Sequence, residues 1–218
     1  MPRHELAWDC AAGSGQASLD LAGRFARVAA TDLSLAQLQQ APRHPNVYRL
    51  AASAEASALV TGSVDLVTVA QGLHWFDREQ FYEEVRRVSG AHGFVAAWSY
   101  RLGRIDGGVI DATVNRYYTD VVGAYWPSER RHVDAAYATI AFPFAGPSPP
   151  AFEMSAEWTL DQLLGYVRTW SATVRCAAVN GRDPVEPLGD ALRALWGGSG
   201  VTRHIAWPLA VLAGRVHG

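Results

Sequence analysis

Short apolar runs alternate with amphipathic stretches over the first half of the chain. Five apolar runs predict strands, at positions 6–8, 28–32, 47–50, 65–70 and 94–98. The run over 65–70 is nearly unbroken and rich in β-branched residues, which is typical of a central parallel strand buried on both faces. The pattern predicts a mostly parallel sheet in which this fourth strand lies beside the first.

Helical spacing of apolar residues fills the intervals between these runs. Gln16 to Arg27 predicts the first helix. Asp77 and Gln80 resemble a capping box, followed by apolar residues that would form the inner face of a further helix. Gly90 and Gly93 are expected to end that helix before the fifth strand. Strands and helices thus alternate with short connections, as in βαβ units.

The second half of the chain is less regular. A helix is predicted from about Val109 to Val122, and Phe152 to Trp158 are predicted to form a sixth strand. Leu160 to Val174 show one continuous helical stripe, which indicates packing against a core. A helix over 187–196 and a last strand over 203–215 complete the pattern.

Composition narrows the class of protein. The chain has 218 residues, of which 49% are hydrophobic, and a formal net charge of −2. This composition favours a folded domain over disorder, and a chain without a basic excess is not expected to bind nucleic acid. No run reaches the ~20 apolar residues of a membrane helix, and residues 1–5 lack the apolar core of a signal peptide.

The two cysteines give no sign of a disulfide-bonded or metal-binding protein. Cys10 and Cys176 lie far apart in the sequence and form no metal-ligand pair, so neither a disulfide framework nor a metal site is indicated. We therefore expect a soluble, cytoplasmic, metal-free protein that acts on a small molecule and does not bind membranes, as a monomer or a homodimer.

The chemistry concentrates in the segment Asp9–Gln16, between the first strand and the first helix. Its glycines tolerate positive φ and let the backbone approach a ligand closely, and the other residues around them are small. Asp32 ends the second strand, close to the ~20-residue offset at which dinucleotide-type folds place a ribose-binding carboxylate. Together they predict a nucleoside-containing ligand at the carboxyl ends of parallel strands.

This arrangement resembles class I S-adenosylmethionine-dependent methyltransferases. Asp9–Gln16 is similar to their first motif, usually D-x-G-x-G-x-G, and Asp32 matches their second-strand acid. Further agreement comes from Ala54-Glu55, from residues 65–76 and from His92-Gly93. The Gln-Gly-Leu-His-Trp-Phe segment within 65–76 resembles the small-molecule methyltransferases of the type 11 domain, a group that includes trans-aconitate-type enzymes.

The resemblance covers most of residues 5–100 and extends more loosely over 101–218. It implies a Rossmann-like α/β fold with a seven-stranded, mostly parallel sheet, an antiparallel last strand and a helical insertion after the fifth strand. We expect a single domain, with a cofactor-binding half at 1–100, a substrate-side insertion and sixth strand at 101–158, and the final helices and strand at 159–218.

The resemblance also implies residue roles. Gly13 and Gly15 would approach the methionine part of S-adenosylmethionine, which Gln71 would also face, and Asp32 would accept the ribose hydroxyls. Around the adenine, the family pattern implies Leu33, Ala54 and Glu55. The remaining predicted cofactor-binding residues belong to the first motif, and they are Asp9, Ala11 and Gln16. S-adenosylhomocysteine would be the product.

His74 is the candidate general base, because it follows the fourth strand and an imidazole titrates near neutrality. Its alternative role is a hydrogen-bonded histidine that packs the Trp75-Phe76 corner. Candidates for an acceptor pocket are aromatic, with simple core packing as their alternative: Trp75, Tyr100, Tyr125 and Trp126. Candidates for binding a carboxylate are arginines, with a solvated surface role as their alternative: Arg101, Arg130 and Arg131.

The predicted function is methyl transfer from S-adenosylmethionine to a small-molecule acceptor, with carboxylic acids among the candidates. Two departures from the family pattern leave an alternative. Ala11 replaces the first motif glycine, and the chain begins almost at its first strand, where family members usually have further residues. The alternative is a catalytically degenerate or truncated module of the same fold. A nicotinamide-dependent oxidoreductase shares the glycine-rich turn and Asp32 but fits the fourth-strand segment poorly.

Overall fold

The computed structural model describes residues 4–217, which divide into two compact units. Unit 1 comprises residues 4–99, 135–150 and 210–217, and unit 2 comprises Tyr100–Asp134 and Ala151–Leu209. Residues 1–3, which belong to the segment predicted not to be a signal peptide, and Gly218 lie outside the described residues. The expectation of a single domain over 1–218 stays a prediction.

Unit 1 is built from parallel strands connected by helices. Its elements are β1 (Leu6–Cys10), α1 (Gln16–Ala22), β2 (Arg27–Asp32), α2 (Leu35–Gln40), β3 (Val47–Ala51), β4 (Val64–Ala70), α3 (Arg78–Val88) and β5 (Ser89–Tyr100, up to Ser99 in this unit). The strand order is β3-β2-β1-β4-β5, followed by β8, of which residues 210–215 belong to this unit.

Packing explains the order of unit 1. β1 pairs in parallel with β2 on one side and with β4 on the other, as the apolar pattern predicts. Trp8 on β1 is completely buried and its ring lies 6.1 Å from that of Phe81 on α3. The helix α3 therefore buries an apolar face against the central strands. Because β1, β2 and β4 run parallel to one another, their carboxyl ends lie at one edge of the sheet.

Two boundary predictions in unit 1 are wrong. The helix predicted over Gln16 to Arg27 ends at Ala22, because Gly23 forms its C-cap and Arg27 already belongs to β2. Gly90 and Gly93 do not end α3. They lie inside β5, which begins at Ser89 directly after the helix.

Unit 2 is mainly helical. Its elements are β6 (Arg104–Ile105), α4 (Gly108–Arg116), α5 (Arg130–Asp134), β7 (Phe152–Trp158), α6 (Leu160–Arg168), α7 (Ser171–Asn180), α8 (Val185–Trp196) and β8 (Arg203–Arg215, up to Leu209 in this unit). β7 and β6 both pair antiparallel with β8. The buried core includes Leu163 and Val167 from α6 and Leu192 and Trp196 from α8.

Three expectations for unit 2 need adjustment. The stripe from Leu160 to Val174 is divided between α6 and α7, because the chain turns at Trp170, and Val174 is 56% exposed. The helix predicted over Val109–Val122 is α-helical only to Arg116 and continues as a π-helix over Tyr117–Val121. Within residues 4–217 there are eight strands rather than seven, because the short β6 adds one.

The fold class predicted from the sequence is confirmed. The strands are mostly parallel, the last one is antiparallel and helices flank them. No helix in the described part of the chain is both long and apolar enough to cross a membrane.

Candidate functional site

A left-handed loop, which we call the glycine loop, joins β1 to α1 at residues 11–15. Ala11, Gly13 and Gly15 have φ angles of 55°, 57° and 83°. The Ala12 N–H donates to the Thr31 carbonyl at 2.9 Å, and the Gly15 N–H donates to the Ala12 carbonyl at 2.9 Å. These bonds hold the loop at the carboxyl ends of two neighbouring parallel strands, where α/β folds bind ligands.

Close packing makes glycine necessary at two positions around the loop. A Cβ on Gly15 would lie 2.9 Å from the Cβ of Ala41, and a Cβ on Gly72 would lie 2.9 Å from the Cβ of Ala11. Ala11 replaces the first motif glycine but keeps the left-handed conformation, which costs an alanine conformational energy. Its methyl group fits because residue 72 has no side chain.

The carboxylate of Asp32 lies at the end of β2 and contacts the glycine loop. Its Oδ2 accepts the Gly13 N–H at 2.9 Å, and its Oδ1 accepts the Ser34 N–H at 2.8 Å. Because each carboxylate oxygen has a second lone pair, the half-buried side chain can accept further hydroxyl donors. The structure therefore brings Asp32 and Gly13 together, as expected for residues of one site.

Asp9 lies beneath the loop rather than on its surface. Its side chain is completely buried, and it accepts hydrogen bonds from Ser18 Oγ at 2.5 Å and from Thr68 Oγ1 at 3.1 Å. Burial raises the pKa of the Asp9 carboxyl, and the bonds from Ser18 and Thr68 oppose this rise. Asp9 thus joins β1, α1 and β4, and supports the loop without an exposed atom.

The loop after β3 contains Ala54 and Glu55, which were predicted to line the adenine. Ala54 is buried, and Glu55 Oε1 accepts the Asp77 N–H at 3.1 Å. Asp77 accepts the Gln80 N–H at 3.2 Å, so the predicted capping box forms its N-cap half only. Glu55 therefore holds this loop against the start of α3.

The two predicted glutamines differ in backbone conformation. Gln16 is the exposed first residue of α1, and its Oε1 accepts the Ser14 hydroxyl at 3.2 Å. Gln71 follows β4 with a φ of 57°, and its N–H donates to the Trp98 carbonyl at 2.9 Å. Ala11 and Gln71 thus both have a left-handed backbone conformation at the ends of neighbouring strands. This conformation is strained for residues other than glycine, and such strain clusters at functional sites.

His74 lies in a 3₁₀ turn over Leu73–Trp75. It is 7% exposed, and its Nδ1 lies 3.2 Å from the Tyr137 hydroxyl. Burial raises the pKa of Tyr137 to about 12, so this hydroxyl is protonated at neutral pH. Sequence reasoning missed Tyr137, because 63 positions separate it from His74 and no local pattern links them. These contacts favour the packing role of His74, while its role as a general base stays a prediction.

The four aromatic residues predicted for the acceptor lie in different units. In unit 1, Trp75 is 54% exposed. In unit 2, Tyr100 and Trp126 are half-buried, and the hydroxyl of Tyr125 accepts a hydrogen bond from Asn180 Nδ2 at 2.9 Å. Their contact with an acceptor stays a prediction.

Arg130 belongs to an aromatic cluster of unit 2. Its guanidinium carbon lies 4.7 Å from the ring centre of Trp126, and its Nε donates to the Tyr118 hydroxyl at 2.9 Å and to Asp134 Oδ1 at 3.2 Å. The guanidinium of Arg130 therefore already has partners within unit 2. Arg101 and Arg131 are exposed.

The residues of unit 1 fit S-adenosylmethionine, the cofactor that the motif implies. Among the described residues, an added Cβ on Gly13 would meet only Gln37 Oε1, at 3.7 Å, so the backbone there is open to a close ligand. Asp32 keeps acceptor capacity suited to ribose hydroxyls. Leu33 is 79% exposed, and its apolar surface suits the face of an adenine ring.

Comparisons with known proteins agree with this geometry. A family model described as a methyltransferase domain matches residues 8–97. A protein of Dictyostelium discoideum, provisionally named a methyltransferase, is 34% identical over 194 residues, which cover 87% of this chain and 73% of that protein. A Saccharomyces cerevisiae protein, provisionally named an S-adenosylmethionine-dependent methyltransferase, is 26% identical, with 81% of this chain and 72% of that protein covered.

A solved structure gives the same result. A protein from Anaeromyxobacter dehalogenans, provisionally named a type II methyltransferase, matches with a TM-score of 0.90 and 42% identity, and the match covers 99% of this chain and 92% of that one. A sequence identity of 42% over most of both chains indicates a common family and not only a similar fold. With the glycine loop and Asp32 in place, the chain belongs to the class I S-adenosylmethionine-dependent methyltransferases.

Proposed function

We propose that this enzyme methylates a small-molecule acceptor and that the glycine loop and Asp32 hold its cofactor. The observation that carries the proposal is the hydrogen bond from the Gly13 N–H to Asp32, at the strand ends where Ala11 and Gln71 are strained. In this arrangement Asp32 binds the ribose, Leu33 contacts the adenine, and the backbone at Gly13 approaches the methionine part.

Methyl transfer of this kind depends mainly on positioning. When bound, S-adenosylmethionine supplies a methyl group on a sulfonium, which an acceptor displaces in line. The chain's own task is to hold the two molecules at reacting distance. Asp9 supports the loop from beneath, and Glu55 fixes the loop after β3.

A carboxylic acid is the acceptor class that we favour. A carboxylate is already ionised at neutral pH, so its methylation needs no general base. This agrees with the burial of His74 and its hydrogen bond to Tyr137, which favour a packing role for that side chain. Trp75 is exposed beside His74 and is the residue of unit 1 that we expect to contact the acceptor.

Calorimetric titration of S-adenosylhomocysteine tests the cofactor site. Asp32→Asn removes the charge but keeps the shape, and we expect binding to weaken by ~1.5–3 kcal/mol, the range for hydrogen bonds to a charged group. Asp20→Asn is the matched control, since Asp20 is an exposed acid on α1. A folded wild-type chain that does not bind would overturn the proposal and favour the degenerate module.

The acceptor class needs a separate experiment. The enzyme is incubated with S-adenosylmethionine and with pairs of small carboxylic acids and their amides, and separately with small amines and phenols. Release of S-adenosylhomocysteine is measured in each case. We expect turnover with acids and not with the matched amides. Turnover of amines or phenols alone would reject the carboxylic acid class and leave cofactor binding intact.

A further inference from the structure

A cavity of about 500 Å³ lies wholly within unit 2 and forms no part of the cofactor site described above. It is lined by residues of α4, α7 and α8 and of the segment that follows α4. Most of its wall is apolar or aromatic, including Tyr117, Val121, Pro184 and Leu188. A cavity of this size and lining is typical of a small-molecule site.

Two arginines are among the residues that line this cavity. Arg116 ends α4 and Arg182 follows α7, and both side chains are exposed. Within residues 4–217, no acidic oxygen pairs with either guanidinium. Arginines present paired N–H donors that match the geometry of a carboxylate.

A neutral donor is present at the same cavity. The hydroxyl of Tyr125 accepts the Asn180 Nδ2–H at 2.9 Å, and the same Nδ2 donates to the Cys176 carbonyl at 2.8 Å. The bond from Asn180 uses a lone pair of the Tyr125 hydroxyl oxygen and leaves the hydroxyl proton unused. No acceptor for that proton is found in the described part of the chain. Tyr125 can therefore donate to a ligand.

The carboxylate that lines the cavity, Asp183, is already paired with a cation. Asp183 Oδ2 accepts the Arg168 Nε–H at 2.8 Å, and its Oδ1 accepts the Val185 N–H at 2.9 Å. These bonds outweigh the effect of desolvation and lower the pKa of Asp183. Arg116 and Arg182 thus leave a surplus of positive charge at an apolar cavity.

We propose that this cavity binds a small aromatic carboxylate. The carboxylate is recognised by Arg116, Arg182 and the Tyr125 hydroxyl, and the ring packs against the apolar wall at Tyr117 and Leu188. The proposal holds whichever molecule accepts the methyl group, since it rests on the cavity alone.

Titration calorimetry with 2-naphthoate and its neutral amide, 2-naphthamide, tests the proposal on the full chain. We expect the acid to bind at least about ten-fold more tightly than the amide, as for a charged hydrogen-bonded group. Arg116→Gln and Arg182→Gln should each weaken naphthoate binding about ten-fold. Arg175→Gln is the matched control and should leave binding unchanged, because Arg175 is exposed on α7 outside the cavity.

A cavity-filling variant locates the site. Ala191→Leu adds bulk to an exposed position of α8 that lines the cavity, and leucine is a good helix former. We expect it to abolish naphthoate binding with an unchanged unfolding midpoint. Equal binding of acid and amide, no binding to wild type, or unaltered binding to Ala191→Leu would each overturn the proposal.

Discussion

The space between Ala11 and Gly72 has room for only one of their two possible Cβ atoms. Ala11 occupies a left-handed position that suits glycine, and its Cβ takes the space that a Cβ at residue 72 would need. Gly72 itself has an ordinary φ of −114°, so conformational strain does not explain a glycine there. The two residues form a pair in which one side chain excludes the other.

The pair predicts a double-mutant coupling. Gly72→Ala should destabilise the protein by ~1–3 kcal/mol, because the added Cβ meets those of Ala11 and Val69. In an Ala11→Gly background the cost should fall by about 1 kcal/mol, since one of these contacts is gone. Urea unfolding measures all three variants.

A matched glycine provides the control for this cycle. Gly165 lies within α6. Apart from its neighbours and the backbone of its own helix, no atom of the described residues lies within 4 Å of an added Cβ, so Gly165→Ala should be neutral or stabilise by up to about 1 kcal/mol. Equal costs for Gly72→Ala in both backgrounds would show that Ala11 is not the residue in the way.

Glu84 is a buried acid on α3 that pairs with Arg87. It is 7% exposed, and it accepts hydrogen bonds from the Ser57 N–H at 2.8 Å and from Arg87 Nε at 2.7 Å. These bonds, with that of Arg87 the strongest, lower its pKa from 4.5 to about 2 against the effect of burial. Its contribution to stability is therefore present above pH 4.5 and is lost as the pH falls towards 2.

Glu84→Gln should reveal this dependence. At neutral pH we expect a loss of ~1–3 kcal/mol, since Arg87 loses its counter-charge. As the pH falls from 4.5 towards 2, the variant should lose less stability than wild type, so the difference narrows. Urea unfolding at several pH values gives the comparison. Glu83→Gln, an exposed neighbour on α3, should keep the wild-type profile.

At the scale of elements, the sequence pattern predicts what local chemistry controls. The β-branched run of β4 and its place beside β1 follow from burial on both faces, and the last strand has the predicted bounds of Arg203–Arg215. The glycine loop and Asp32 are equally local signals, because each lies directly after a strand. This is why the segment that we propose to bind the cofactor could be predicted without a structure.

Long-range contacts set the features that the pattern misses. The apolar stripe from Leu160 to Val174 continues across Trp170, yet the chain turns there, because the Trp170 ring packs between Tyr166 and Trp126. Likewise, the partner of His74 is Tyr137, far away in sequence. Periodicity records which residues are apolar and not where a helix bends.

A capping signal marks the start of α6. The Thr159 hydroxyl accepts the Gln162 N–H at 3.4 Å, and the Gln162 side chain accepts the Thr159 N–H at 2.8 Å, which forms a capping box. Thr159→Ala should therefore destabilise the protein by about 1 kcal/mol, whereas Thr159→Ser should be nearly neutral. Thermal and urea unfolding measure the difference. Equal stability of the two variants would show that the Thr159 cap does not stabilise the protein.

At the scale of the whole molecule, the chain has two compact units with separate buried clusters. Unit 1 buries Ala7, Ala22 and Val28 around its parallel strands, whereas unit 2 buries an aromatic and aliphatic cluster between helices. The residues proposed to bind the cofactor lie in unit 1, and the cavity proposed to bind a carboxylate lies in unit 2. The two proposed ligand sites should therefore be distinguishable by where each ligand protects the backbone from hydrogen exchange.

Hydrogen exchange with mass spectrometry makes this distinction. S-adenosylhomocysteine at about 100 times its Kd adds ~2.7 kcal/mol to the state that binds it, so exchange should slow in residues 9–16 and 27–34. 2-Naphthoate should instead slow exchange in residues 113–125 and 176–191, which contain the cavity lining. Asp32→Asn should reduce the first effect and leave the second unchanged, and Arg182→Gln should do the reverse. If naphthoate protected only the glycine loop, it would be bound at the cofactor site, and the assignment of the cavity in unit 2 would fail while that of the cofactor site stood.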